Sequence, residues 1–170
     1  MRTLLRVVLW AAVPSILGAD SPARKPMEGA WKVVEIVVTG ANPENTPSPQ
    51  PSLFIFGQKH YSMMWIRGAK ARAPYAAEEA TNEEKIQAFD SFTANTGTYE
   101  VSGSTLTIRP IVARSPNFMA GGSSSYQFRA EGSNLWLTEK STDTRYRIGD
   151  QVVPPTRPPS ETRLKLVRLE

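Results

Sequence analysis

From Trp31 to Leu169 the chain repeats one pattern, a run of β-branched and aromatic residues followed by a break rich in Gly, Ser or Pro. Such side chains fit a pleated, half-buried surface, so each run reads as a strand. The runs fall at 30–38, 52–56, 59–66, 97–101, 105–109, 123–130, 134–138, 144–148 and 162–169. Short strands at steady spacing, with no helices alternating between them, favour an antiparallel barrel over a parallel α/β sheet. The expected fold is all-β, a single antiparallel up-and-down β-barrel of about 8–9 strands with one short helix. A barrel has no free edge only if its first and last strands pair, so 30–38 should meet 162–169.

The breaks carry their own information. Pro43, Pro47, Pro49 and Pro51 forbid a ladder over 40–52, and Pro154, Pro155, Pro158 and Pro159 do the same over 149–160. Both read as exposed loops. Gly57-Gln58, Ser102-Gly103 and Gly132-Ser133 read as hairpin turns, and Pro110 should bend or bulge its strand. Residues 76–94 differ. Thr81 stands three residues before Glu84, the spacing of a capping box, with Glu83 and Glu84 in a favourable first turn. Ile86, Phe89 and Phe92 recur at every third position, which predicts an amphipathic helix lying across the sheet with its Phe side chains in the core.

Residues 1–19 read as a signal peptide: Arg2 and Arg6, an apolar run to Val13, then Pro14, Gly18 and the small Ala19 ahead of Asp20. The apolar run is too short to span a bilayer comfortably. Residues 20–28 read as a linker and 29–170 as the barrel domain. The expected location is secreted or periplasmic, with no stable membrane anchor in the mature chain. The sequence has no cysteine, which excludes disulfides, a lipid-modified cysteine and thiolate metal sites. Its net charge is +4, including Arg2 and Arg6. That mild excess is not the dense basic stripe of a nucleic-acid binder, so no nucleic acid is expected.

At Gly29-Ala30-Trp31, ahead of the first long strand, the sequence resembles the Gly-x-Trp start of lipocalins. It is most similar to the bacterial and fungal lipocalin-like domain family. The points of resemblance are Trp31, the Pro-bearing loop, Tyr61-Ser62, the acidic helix at Glu83-Glu84, and Gly97-Thr98-Tyr99-Glu100. The helix lies between the third and fourth strands, whereas lipocalins place theirs near the C-terminus. The resemblance implies a calycin-type barrel in which the first-strand Trp pairs with an Arg of the last strand. Arg168 is the best match, with Arg163 second. Physically, an Arg stacked on an indole stabilises by about 0.5–2 kcal/mol. Trp31 and Arg168 are therefore the expected barrel-closure residues.

Candidate chemistry is sparse. His60 is the only histidine, so no metal site is expected. Ser62 shares its strand face, but no Gly-x-Ser-x-Gly elbow is present. No cofactor motif appears. Glu35 lies four residues from Trp31 and two from Val33, which predicts that all three face the interior of a regular strand. Glu100 is a second carboxylate candidate, and Arg109 is a candidate charge partner. Phe54, Phe56, Met64, Trp65, Tyr126, Phe128 and Trp136 are candidate cavity-lining residues. Together these outline a barrel that binds a small hydrophobic or amphipathic molecule without turnover. Two alternatives remain open: a cyclase, isomerase or hydrolase using Glu35, Glu100 or His60, and a solid barrel whose Pro-rich loops contact another protein.

Overall fold

Strand alternation and turn chemistry place the chain's apolar residues on one side of a continuous sheet. The computed structural model describes residues 26–68 and 70–169. The signal-peptide reading of 1–19, and most of the linker reading of 20–28, fall outside them. In chain order the elements are β1 (Gly29–Gly40), β2 (Glu44–Thr46), β3 (Ser52–Phe56), β4 (His60–Ile66), α1 (Asn82–Asp90), β5 (Phe92–Ser102), β6 (Thr105–Ala113), α2 (Pro116–Met119), β7 (Ser123–Glu131), β8 (Asn134–Ile148), β9 (Gln151–Val153) and β10 (Ser160–Arg168).

The sheet runs β10-β1-β3-β4-β5-β6-β7-β8, and β10 also pairs with β8, so eight antiparallel strands close on themselves. This is the all-β barrel expected from the strand spacing. Two short strands lie outside the ring: β2 pairs with β1, and β9 forms a hairpin with the far end of β8. Pro47, Pro49 and Pro51 occupy the stretch between β2 and β3, and Pro154 to Pro159 the stretch between β9 and β10.

Closure rests on the pairing of β1 with β10, in which Trp31 lies opposite Arg168. Both face inward at the same end of the barrel. The Arg168 guanidinium lies 4.1 Å from the centroid of the fully buried Trp31 ring. It also donates to the carbonyls of Glu28 and Pro26, while the indole Nε1 donates to the Met27 carbonyl at 2.7 Å. The segment ahead of β1 is thereby folded under the barrel, with Met27 fully buried. Gly29 reaches this turn at φ +134, a conformation that side-chain-bearing residues rarely adopt. Above the clamp, Val33, Phe54, Phe56, Tyr99, Leu106, Ile108, Leu135, Leu137 and Leu166 fill the interior.

Two bulges set which residues face inward. Between Val33 and Glu35 the β1–β10 register slips by one residue, so Val33 opposes Leu166 but Glu35 opposes Lys165. Glu35 consequently points outward and Ile36, opposite the buried Leu164, points inward. The second bulge lies where Gly97 opposes Pro110. A Cβ on Gly97 would sit 2.0 Å from the Arg109 carbonyl oxygen, so this approach requires glycine. Pro110 is thus accommodated inside β6 at the expected irregularity.

Helix α1 has the capping box read from the sequence, with Thr81 accepting from the Glu84 backbone and Glu84 from the Thr81 backbone. Its apolar residues do not enter the core. Ile86 and Phe89 are 62% and 54% exposed, and Phe92 already belongs to β5. The barrel is closed without the helix, and Phe89 is covered instead by the Arg114 guanidinium at 4.5 Å.

Trp31→Ala is expected to lower stability by about 3–5 kcal/mol. Arg168→Ala, which strips two carbonyls of a charged donor, is expected to lower it by about 1.5–3 kcal/mol. A double-mutant cycle read by urea unfolding should return a coupling of about 0.5–2 kcal/mol. Strict additivity would show that the stacked pair is not a unit.

Candidate functional site

With one end plugged by Trp31, the polar residues of the interior collect at the other. There the two strands of the β7–β8 pair depart from register: Ser124 opposes Thr144 while Tyr126 opposes Glu139. Residues 140–143 of β8 loop away from the ladder, which brings Glu139 and Thr144 together over Ser124. The Ser124 hydroxyl donates to Glu139 Oε1 at 2.8 Å and lies 2.9 Å from the Thr144 hydroxyl, which also donates to Glu139. Glu139 follows Leu135 and Leu137 at period two, so it faces the interior. It is the inward carboxylate of the barrel wall, in the role that the sequence reading gave to Glu35.

Tyr61 on β4 and Asn95 on β5 also face inward, Tyr61 in the register row of Phe56 and Gly29 and Asn95 in that of Met63. Asn95 opposes the buried Met63, so it shares the inner face. Among the described residues, Tyr61 Oη and Asn95 Oδ1 are the buried side-chain atoms without a hydrogen-bond partner. An unpaired buried polar atom costs about 1–3 kcal/mol, so such a pair invites a ligand group or water that can satisfy it. Burial pushes the Tyr61 phenol well above the ordinary tyrosine range. Tyr126 moves the same way, first through burial and then through the Glu139 charge. Both phenols are neutral donors at physiological pH.

The wall is thinnest beside this cluster. β6 pairs with β7 only from Thr105 to Ile108, leaving its second half without a β7 partner. The single turn α2 fills the gap, with Phe118 buried and its ring 5.6 Å from that of Tyr146. Two shallow cavities are present, the first of them lined in part by Asn95. One, of about 110 Å³, runs along the outer wall beside Ser62, Met64, Thr96 and Val112. The other, of about 280 Å³, lies at the rim beside Thr39, Lys140, Ser160 and Glu161.

The expected lining residues divide between the two faces. Phe54, Phe56 and Tyr126 are buried in the interior, and Trp65 and Phe128 pack against it. Met64 lies on the outer face, 37% exposed, because Met63 takes the inner position. Trp136 also faces outward, between the buried Leu135 and Leu137, with the Arg129 guanidinium 4.1 Å above its ring. Glu100 and Arg109 form an ion pair at 3.2 Å on the outer wall, with side chains 76% and 53% exposed. They are placed there by alternation from the inward Tyr99 and Ile108. Glu35 is turned out by the bulge. His60 is exposed at the start of β4 and opposes Thr98. Sequence reasoning missed Asn95, Ser124, Glu139 and Thr144. Period two from Leu135 and Leu137 reaches Glu139, but nothing in the sequence marks the loop-out that recruits Thr144.

The closed eight-strand ring, plugged at its Trp end, is an all-β antiparallel barrel, the fold implied by the lipocalin-like resemblance. No family model matches the chain, and no curated protein matches it. Among solved structures, a lipocalin-like protein from Bacteroides uniformis is 11% identical, with 85% of this chain and 100% of that chain covered at a TM-score of 0.42.

Because Tyr61 and Tyr126 hold their protons more tightly folded than unfolded, stability is fully present below about pH 10 and falls as the pH rises above it. Tyr61→Phe removes one orphaned hydroxyl. It is expected to stabilise the ligand-free protein by about 1 kcal/mol at pH 7 and to lessen the alkaline loss. Urea midpoints at pH 8 and pH 11 measure both, and a Tyr61→Phe protein less stable than its parent at pH 7 contradicts the assignment.

Proposed function

We propose that this barrel binds a small amphipathic molecule at its polar end, without turnover, and that it does so outside the cytoplasm after removal of residues 1–19. The observation that carries the reading is the orphaned pair Tyr61 Oη and Asn95 Oδ1 on the inner wall. The phenol supplies a donor and the amide oxygen an acceptor, so a ligand carrying polar groups of both kinds satisfies them. Met63 and Tyr126 belong to the apolar core, and Trp65 and Phe128 pack against it, an apolar interior with a few fixed polar groups. Phe118 on α2 occupies the weakest part of the wall and is the side chain to be displaced for access. The two charged residues first considered for acid–base chemistry, Glu35 and Glu100, face outward, which favours binding over catalysis by that pair.

A second reading, a barrel that contacts another protein, is favoured by one observation. Met64 and Val112 are 37% and 57% exposed beside the outer groove.

Native mass spectrometry of protein purified from its own host separates the readings. The expected spectrum shows a chain beginning at Asp20 with a small molecule attached, released on mild activation. Tyr61→Phe is expected to weaken retention of that molecule about tenfold or more, even as it stabilises the empty protein. A bare chain that co-purifies with a protein partner favours the second reading.

A further inference from the structure

Glu139 brings a negative charge to the inner wall, half-buried on β8, and the register shows what surrounds it. Its row reads Leu106, Tyr126, Glu139, Thr162 and Val38 across β6, β7, β8, β10 and β1, and it holds no cation. Lys140, the next residue, turns to the other face and opposes Glu161. It is exposed beside the rim cavity. Arg145, beyond the loop-out, gives its guanidinium to the carbonyls of Thr142 and Thr144. The ion pairs among the described residues join Arg109 to Glu100, Arg129 to Glu131 and Arg163 to Glu161, so Glu139 has no countercharge there.

What Glu139 has instead is two neutral donors. The buried Ser124 hydroxyl reaches Oε1 at 2.8 Å, and the buried Thr144 hydroxyl reaches the same oxygen. Oε2 has no hydrogen bond among the described residues. Having given their protons to Oε1, the two hydroxyl oxygens keep lone pairs. The cluster thus offers acceptors and a negative charge, with no uncommitted donor. A primary ammonium is its complement, with one positive charge, three N–H donors and no acceptor. Tyr126, opposite Glu139, adds an aromatic ring, whose face attracts a cation. Hydrogen bonds from an ammonium to a carboxylate are roughly twice as strong as those between neutral groups, so this wall favours a cation over a hydroxyl.

We propose that Glu139, with Ser124 and Thr144, receives the ammonium group of the amphiphile, so that the barrel takes a primary amine with an apolar body. This inference rests on the small-molecule reading above and deepens it. It gives that molecule a positive charge and places the charged end on the β7–β8 wall.

Calorimetric titration at pH 7 with octylamine, octan-1-ol, octanoate, octyltrimethylammonium and calcium chloride tests it. Octylamine, protonated at this pH, is expected to bind at least about tenfold more tightly than octan-1-ol, and octanoate more weakly than either. Octyltrimethylammonium keeps the charge but has no N–H, and it is expected to bind more weakly than octylamine. Glu139→Gln keeps an oxygen for the two hydroxyls and removes the charge, and in it octylamine should fall to the level of octan-1-ol. Glu139→Asp keeps the charge at a shorter reach and should retain part of the preference, which covers failure of the Gln variant to fold. Equal binding of octylamine and octan-1-ol by the parent protein, or a preference that survives Glu139→Gln, overturns the inference and leaves the small-molecule reading standing. Octyltrimethylammonium or calcium binding as tightly as octylamine makes the cluster a site for any cation and overturns it too. No binding of any probe removes the small-molecule reading and this inference with it.

Discussion

Everything in this barrel depends on the meeting of its first and last strands. A sheet of eight strands has two edges with unpaired backbone groups until β10 pairs with both β1 and β8. Trp31 and Arg168 stand where that closure begins, and they do more than fill space. The guanidinium stacks on the indole and grips two backbone carbonyls of the preceding turn. The indole N–H takes a third. One residue from each end of the domain thus ties together the N-terminal turn, β1 and β10. In a chain without cysteine, this junction of the two ends is wholly noncovalent.

The clamp divides the interior into unlike halves. Large apolar side chains fill the closed end. At the other end the register breaks between Ser124 and Tyr126, and polar groups gather. Two of the three irregularities act in opposite senses. The bulge after Val33 removes a carboxylate, Glu35, from the interior, whereas the loop-out in β8 gives Glu139 two hydroxyl partners there. A half-buried carboxylate is stabilised by such partners, and the β8 loop-out is what supplies the second of them.

Much of this was legible in the sequence, and the reasons are local. Strand positions follow from β-branched runs and turn residues, the capping box from Thr81 and Glu84, the meeting of first and last strands from the requirement that a barrel close, and the pairing of Trp31 with Arg168 from the family resemblance. What could not be read depends on long-range register. Strict alternation places Glu35 beside Trp31 on the inner face, and only the pairing with Lys165 shows the slip. Aromatic character alone does not tell Trp136 from Phe128, though their neighbours put one outside and the other inside. Ile86 and Phe89 have helical spacing, but a ring already closed by eight strands has no face left for them to cover.

The central claim is that stability is graded along the barrel axis, highest at the Trp31–Arg168 clamp and lowest at the polar mouth. Native-state amide hydrogen exchange tests this residue by residue. The account predicts the slowest exchange, approaching the global unfolding free energy, at the hydrogen-bonded amides of Trp31, Val33, Leu135 and Leu166. It predicts the fastest in α2, in the β8–β9 hairpin and in the second half of β6. Uniform protection along the axis, or the strongest protection around Thr144 and Phe118, would contradict it.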